Sequence, residues 1–381
     1  MVLRGGLFPR LIALFPLLFP LYLVRGEPFG IPVTLPEVIL GFAFVFFLMR
    51  ERPRLREFWV APVWIFVGAA VLSVLIVPDI SFMVDGTEFP ARLKALGILK
   101  GWILAPILYF FMARFYFREK PSLIALALRA LVAGGMVLSL MALVQVWTGE
   151  FTTPDGRASG PFESANYLAL YLGPLFSFSV FALMKEKENP QRIFCAAALL
   201  LIGAALYFTD SYAAWLSVIG TLGVALLLFV REQSLKVRVG MGALAVLLAG
   251  LLVLSQLNTE KGQQFFEFSE RSSSSVRIQV YEISLNLLKE NPLLGIGLGQ
   301  YEQVYQTSAE RILGEAPFEW VMIHPHNLFL ALWLNLGFIG FFAFLWLLKE
   351  ALPWLLEKDK KERRIAALML VTTAVTIDSI M

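Results

Sequence analysis

The sequence holds two histidines, and both lie in one tripeptide, His324-Pro325-His326. Histidine is the side chain whose ordinary pKa, about 6.5, suits proton transfer near neutrality. The tripeptide falls where a long polar stretch gives way to an apolar run. Pro325 favours the first turn of a helix, which puts His326 in that turn and at its mouth. A histidine that merely caps the helix is the competing reading. A metal is not expected, because His-x-His supplies two ligands and no carboxylate or thiol adjoins it. Cys195 is the one cysteine, so it forms neither an internal disulfide nor a cysteine-based zinc site.

The other groups with chemical potential are cations. Arg277 begins a segment in which Val276, Val280, Ile283 and Leu287 recur at helical spacing. Ser273–Ser275 offer caps before it, and Asn291-Pro292 stops it. Arg157 sits in a short Gly/Pro-bearing loop, and Arg92, Lys94 and Lys100 form a further cluster. Arginine is suited to phosphate because its planar fork makes two parallel hydrogen bonds and keeps its charge. For Arg277 the competing reading is a solvated charge on a loop helix. For Arg92, Lys94 and Lys100 it is the snorkelling of long side chains to an interface. Gly337 and Gly340, three apart, read as a site of close helix packing. The run Gly295-Ile296-Gly297-Leu298-Gly299 is not a full dinucleotide fingerprint and follows no strand.

What must position these groups is a bundle of membrane spans. Of 381 residues, 58% are hydrophobic and only 16% charged, against about half and a quarter in soluble domains. Such a chain is neither disordered, nor a disulfide scaffold, nor an ordinary cytosolic enzyme. Long apolar runs place spans near 7–24, 32–49, 58–77, 96–116, 123–147, 166–184, 193–209, 212–230, 237–256, 326–348 and 365–381. Arg4 and Arg10 precede the first span, but no small-residue cleavage site follows it, so it is not a cleavable signal. The expected fold is an all-α polytopic membrane protein of about eleven helices. Because Met381 lies inside an apolar run, a twelfth is expected beyond it. The expected segments are 1–256 with helices one to nine, an outer loop at 257–325, and 326–381 with the last two.

Charge orients the bundle. Arg50–Arg56, Arg114–Lys120, Lys185–Arg192, Arg231–Arg238, Lys349–Arg364 and the two leading arginines put 21 basic residues on one side. The short loops opposite hold only Arg25, Arg92, Lys94 and Arg157. By the positive-inside rule the N-terminus is cytoplasmic, and the loops near 78–95, 148–165 and 257–325 face outward. Lys358–Arg364 reads as a topology anchor that also touches anionic lipid.

Three segments together resemble the O-antigen ligase and O-antigen polymerase family. His326-Asn327-x9-Gly337-x-x-Gly340 resembles its signature. Arg277…Tyr281…Asn291-Pro292-Leu293-Leu294-Gly295-Ile296-Gly297 resembles its outer-loop motif. Arg157-x-x-Gly160-Pro161-Phe162, with Asn166 opening span six, resembles a third segment. The resemblance implies a GT-C-like bundle and an inverting, metal-independent glycosyltransferase without cofactors, working on the outer face of the bacterial inner membrane. Its donor would be an undecaprenyl-diphosphate-linked glycan. Its acceptor would be lipid A core in a ligase, or a second glycan lipid in a polymerase; the large outer loop favours the ligase, and no nucleic acid is involved. The resemblance makes His326 the base for the acceptor hydroxyl and Arg277 the first group on the diphosphate, with Arg157 second. Asn166 and Asn327 stand beside them as substrate-binding candidates.

The family usually carries a Ser-Arg pair between spans seven and eight, where this chain has Ser211-Tyr212. Tyr212 leaves open a substitute cation such as Arg92, Lys94 or Lys100, an altered donor, or a non-catalytic relative. A lipid or glycan transporter is the rival from another class. No repeat between halves is visible, and the ionisable groups gather at the outer mouth rather than at mid-membrane.

Overall fold

Backbone polar groups find no water in hydrocarbon, so apolar runs of this length must satisfy them internally as helices. A computed structural model describes residues 6–78, 81–84, 87–230, 239, 250 and 273–356, and these are mostly helical. In chain order the helices are α1 (Leu7–Leu14), α2 (Leu35–Glu51), α3 (Ala61–Ile76), α4 (Ala91–Ile98) and α5 (Ala105–Glu119). They continue with α6 (Ser122–Thr148), α7 (Ala165–Lys185), α8 (Asn189–Phe208) and α9 (Tyr212–Val230). After a gap in the described residues come α10 (Ser273–Glu290), α11 (Tyr301–Leu313) and α12 (Leu328–Leu356).

Among the described residues, five helical segments are long and apolar enough to cross a membrane: Ala91–Glu119, Ser122–Thr148, Ala165–Met184, Asn189–Phe208 and Leu328–Glu350. They match the expected spans at 96–116, 123–147, 166–184, 193–209 and 326–348. The first begins five residues early, so Arg92 and Lys94 lie on the helix and not in the loop before it. It runs through a π-helical stretch, Leu99–Leu104, that joins α4 to α5. The expected spans at 32–49 and 58–77 are the shorter α2 and α3, and 212–230 is α9. The expected span at 7–24 is only partly α-helical: Pro16 and Pro20 remove backbone donors, and Phe15–Leu23 continues as a 3-10 helix. The span at 365–381 falls outside the described residues, as does that at 237–256 apart from residues 239 and 250.

The all-α expectation needs one correction. Two small antiparallel hairpins occur, Arg25–Gly26 with Val33–Thr34 and Ser81–Val84 with Thr87–Pro90. The first leads into α2, where Thr34 and Glu37 form a reciprocal cap of the helix start.

The chain divides into two compact units, residues 1–134 with 279–351, and residues 135–278 with 352–381. In the first unit Ile12, Phe15, Leu40, Phe47, Met112 and Tyr116 form one buried cluster. Ala70, Val74, Val77, Ala95, Leu99, Leu298 and Leu336 form another. In the second unit α7 packs on α8 and α9, with Leu168, Leu172, Ile202, Leu206, Ala214 and Val218 buried between them.

Candidate functional site

The site in the first unit is built on α10, which forms where the sequence spacing places it. Val280, Ile283 and Leu287 are all at most 1% exposed, so the apolar stripe is the face that anchors the helix. Ser284 Oγ and the Tyr301 hydroxyl, 2.7 Å apart, join α10 to α11 in the interior. Burial holds the Tyr301 phenol well above its ordinary pKa, so it stays a neutral partner. The expected stop at Asn291-Pro292 is also present: α10 ends at Glu290, and Asn291 Nδ2 donates to the Leu287 carbonyl at 3.2 Å.

Two hydrogen bonds connect α10 to the segment that carries the histidines. Gln279 Oε1 accepts from the Phe318 backbone N–H at 2.9 Å. The Tyr281 hydroxyl donates to the His326 carbonyl at 3.2 Å. Arg277 lies one turn before Tyr281 on α10, so the two share a helix face, and Arg277 is half-buried. The Tyr281 bond thus ties α10 to the backbone of His326.

His326 itself departs from expectation. It is not in the first turn of α12, because Asn327 takes the capping position. Asn327 Oδ1 accepts from Leu330 N at 3.1 Å and its carbonyl from Ala331 N at 2.8 Å. His326 stands just outside, with φ 50°, in the left-handed region that few non-glycine residues occupy. The bare capping reading of His326 is therefore displaced onto Asn327. The His324 and His326 rings lie side by side, with centroids 4.6 Å apart. Burial lowers the His324 pKa below its usual value, which keeps that ring neutral near pH 7.

Gly337 breaks α12, with φ 67° and ψ −176°. The break opens a backbone slot that the Asn291–Gly299 turn fills. Ile296 N donates to the Leu334 carbonyl at 2.7 Å, and Phe338 N to the Leu293 carbonyl at 3.0 Å. Trp333 Nε1 reaches the Pro292 carbonyl at 2.8 Å, and Gly299 N reaches Asn335 Oδ1 at 2.7 Å. Ser73 of α3 adds a hydroxyl hydrogen bond to the Asn335 carbonyl. The glycine pair thus does more than the helix packing expected of it. Gly340 does face a neighbouring helix, at Ala69 of α3, but Gly337 admits a loop backbone. Sequence reasoning assigned no role to Asn335, although a lone asparagine inside an apolar run was a usable signal.

The cationic trio is engaged within the first unit. Arg92 Nη2 donates to the Val77 carbonyl at 3.1 Å. Lys94 pairs with Glu302 of α11 at 3.1 Å, and Lys100 with Glu37 at 2.5 Å. Lys100 also donates to the Pro32 carbonyl at 2.6 Å, from within the π-helical stretch.

The second unit brings two other predicted segments together. Gln145 of α6 accepts from the Ser159 and Gly160 backbone N–H groups at 3.2 and 2.8 Å and donates to the Gly160 carbonyl at 2.7 Å. Ala158 N donates to the Phe208 carbonyl at 3.0 Å, which ties the Arg157 loop to the end of α8. Tyr212 opens α9 four residues later, after Asp210 in a left-handed conformation. Arg157 Nε pairs with Asp155 at 2.6 Å, while its buried Nη1 has no hydrogen-bond partner among the described residues. Asn166 is half-buried in the first turn of α7, its backbone N–H held by Ser164 Oγ at 3.2 Å.

Comparison with known proteins agrees with the resemblance read from the motifs. Residues 197–345 match the family model described as O-antigen ligase. That stretch contains Tyr212, Arg277, Tyr281, His326, Asn327 and both glycines of the α12 break. Over 158 residues the chain is 28% identical to an O-antigen ligase of Salmonella typhimurium strain LT2, a match covering 39% of this chain and 37% of that protein. The match spans little more than a third of that protein's length, and the apolar helices describe a multi-pass membrane protein.

Proposed function

We propose that the protein is an inner-membrane glycosyltransferase of the O-antigen ligase type. It moves a polysaccharide from an undecaprenyl-diphosphate donor to a hydroxyl of lipid A core on the periplasmic face. One observation carries the reading: within the stretch that matches the O-antigen ligase model, the helix bearing Arg277 is hydrogen-bonded to the backbone of His326.

His326 takes the proton from the acceptor hydroxyl as its oxygen attacks the anomeric carbon. The bond from that carbon to the donor diphosphate breaks in the same displacement, so the configuration inverts. The departing diphosphate gains charge in the transition state, and fixed cations there lower the barrier more than they tighten ground-state binding. Arg277 is the first such cation. Arg157 is the second, its Nε held by Asp155. Tyr212, Asn166 and Asn327 are the remaining substrate-binding candidates, with Arg92, Lys94 and Lys100 behind them because both lysines are already paired with carboxylates. The bundle has about eleven spans, and the 257–325 loop lies outside the membrane.

The test is reconstitution in vesicles with undecaprenyl-diphosphate glycan and lipid A core, reading glycan on the acceptor by gel mobility. Acceptor bearing glycan supports the ligase. Lengthened donor chains without acceptor point instead to a polymerase, and no product of either kind overturns both.

A further inference from the structure

We propose that Tyr281 is a positioning residue for His326, and that α10 acts as a clamp on the segment carrying both histidines. The inference rests on the reading of His326 as the base. Three side chains hold residues 318–326 from one direction of the chain. Gln279 accepts from Phe318 N at 2.9 Å, Tyr305 donates to the Glu319 carbonyl at 3.0 Å, and Tyr281 donates to the His326 carbonyl at 3.2 Å. The segment between these points contains no regular element, so nothing in its own backbone fixes the direction of the imidazoles.

The bond from Tyr281 falls on the residue whose direction matters. A left-handed non-glycine residue persists only where its surroundings over-determine it. At His326 the constraints come from both sides. Asn327 locks the following turn as the cap of α12, and Tyr281 fixes the carbonyl that precedes that cap. With φ and ψ set, the Cα–Cβ bond of His326 has one direction. Tyr281 is a firm donor because its neighbours Val280, Ile283 and Ser284 are fully buried. General-base catalysis demands alignment, since an error of about 1 Å can cost about 10²-fold in rate.

Tyr281→Phe keeps the ring and removes only the hydroxyl, so the protein is expected to insert and melt as the wild type does. In vesicles with the lipid-linked donor, kcat should fall about tenfold or more while the donor KM stays within about twofold. That loss is smaller than the roughly 10²–10⁴-fold expected for His326→Ala. In the His326→Ala background, adding Tyr281→Phe should change the residual rate no further. Wild-type kcat in Tyr281→Phe, with His326→Ala inactive, overturns the positioning role alone. A further loss by the same factor in the double variant also overturns it, because the hydroxyl would then act without His326. Full activity in His326→Ala removes the base reading and this proposal with it.

Discussion

Gly295 and Gly337 each lie where main chain beside the other fills the space a side chain would need. A Cβ on Gly295 would stand 2.2 Å from the Leu334 carbonyl oxygen, and one on Gly337 would stand 2.3 Å from the Leu293 carbonyl oxygen. Both have positive φ, at 71° and 67°. In an unbroken helix Phe338 N would bond the Leu334 carbonyl. Here each takes a partner from the turn instead, so the break leaves neither group orphaned. The contact fixes the C-terminal end of α10 to α12, while the Tyr281 bond to His326 ties down its middle.

Alanine at either glycine should therefore be costly for two reasons, the left-handed backbone and a collision with main chain that cannot rotate away. The expected result for Gly295→Ala and Gly337→Ala is a large loss of folded protein in membranes, read by fluorescence-detected gel filtration. Gly314 separates the two causes. It also has a positive φ, 75°, but a Cβ there meets nothing within 4 Å. Gly314→Ala should cost only about 1 kcal/mol. Equal losses at all three sites would show that the interlock adds nothing.

The interlock also marks the limit of what sequence reading reached. Five long spans and the α10 helix were legible because hydropathy and helical period are written locally. Gly337 and Gly295 lie 42 positions apart, and glycine spacing alone does not distinguish a helix neighbour from a docked turn. The left-handed His326 was hidden for a related reason. Pro325 and Asn327 both signal a helix start, and the stronger side-chain cap at Asn327 won. The short hairpins were missed because strands of two and four residues carry too little alternation to read.

His326→Ala should lower glycan transfer by about 10²–10⁴-fold at unchanged protein level, the usual consequence of a lost general base. His324→Ala should do less, since His324 lies beside the proposed base. Full transfer by His326→Ala in the reconstituted assay removes it from the mechanism.

Acid should destabilise the histidine segment. His324 has its pKa lowered by burial, so the unfolded chain takes up this proton more readily than the folded one. The contribution to stability is full above the ordinary histidine pKa, about 6.5, and is lost as pH falls below it. The midpoint of thermal unfolding should drop more between pH 7.5 and pH 5 for wild type than for His324→Gln. Identical drops would mean that His324 titrates alike in both states.

Orientation can be read with an impermeant thiol reagent in a Cys195→Ser background, where the native cysteine is buried. Glu315 and Arg54 are both exposed. Glu315→Cys should react in intact cells, and Arg54→Cys only after the membrane is opened. The reverse pattern would invert the topology and move the site to the cytoplasmic face.

If guanidinium groups grip a diphosphate, shape and charge both matter at Arg277. Its fork can make two parallel hydrogen bonds to phosphate oxygens, whereas lysine offers a point charge on a flexible stem. Arg277→Lys should be impaired and Arg277→Ala more so, read as initial rates of glycan transfer. Arg157→Ala should raise the donor KM if that guanidinium is the second cation on the diphosphate. If the site handles a diphosphate lipid, Tyr212→Arg adds a further cation to it and should be tolerated and should raise the rate. The opposing view makes Arg277 a solvated charge whose removal costs at most about 1 kcal/mol. Equal rates for wild type, Arg277→Lys and Arg277→Ala would establish that view, and the diphosphate assignment would fall with the difference it failed to produce.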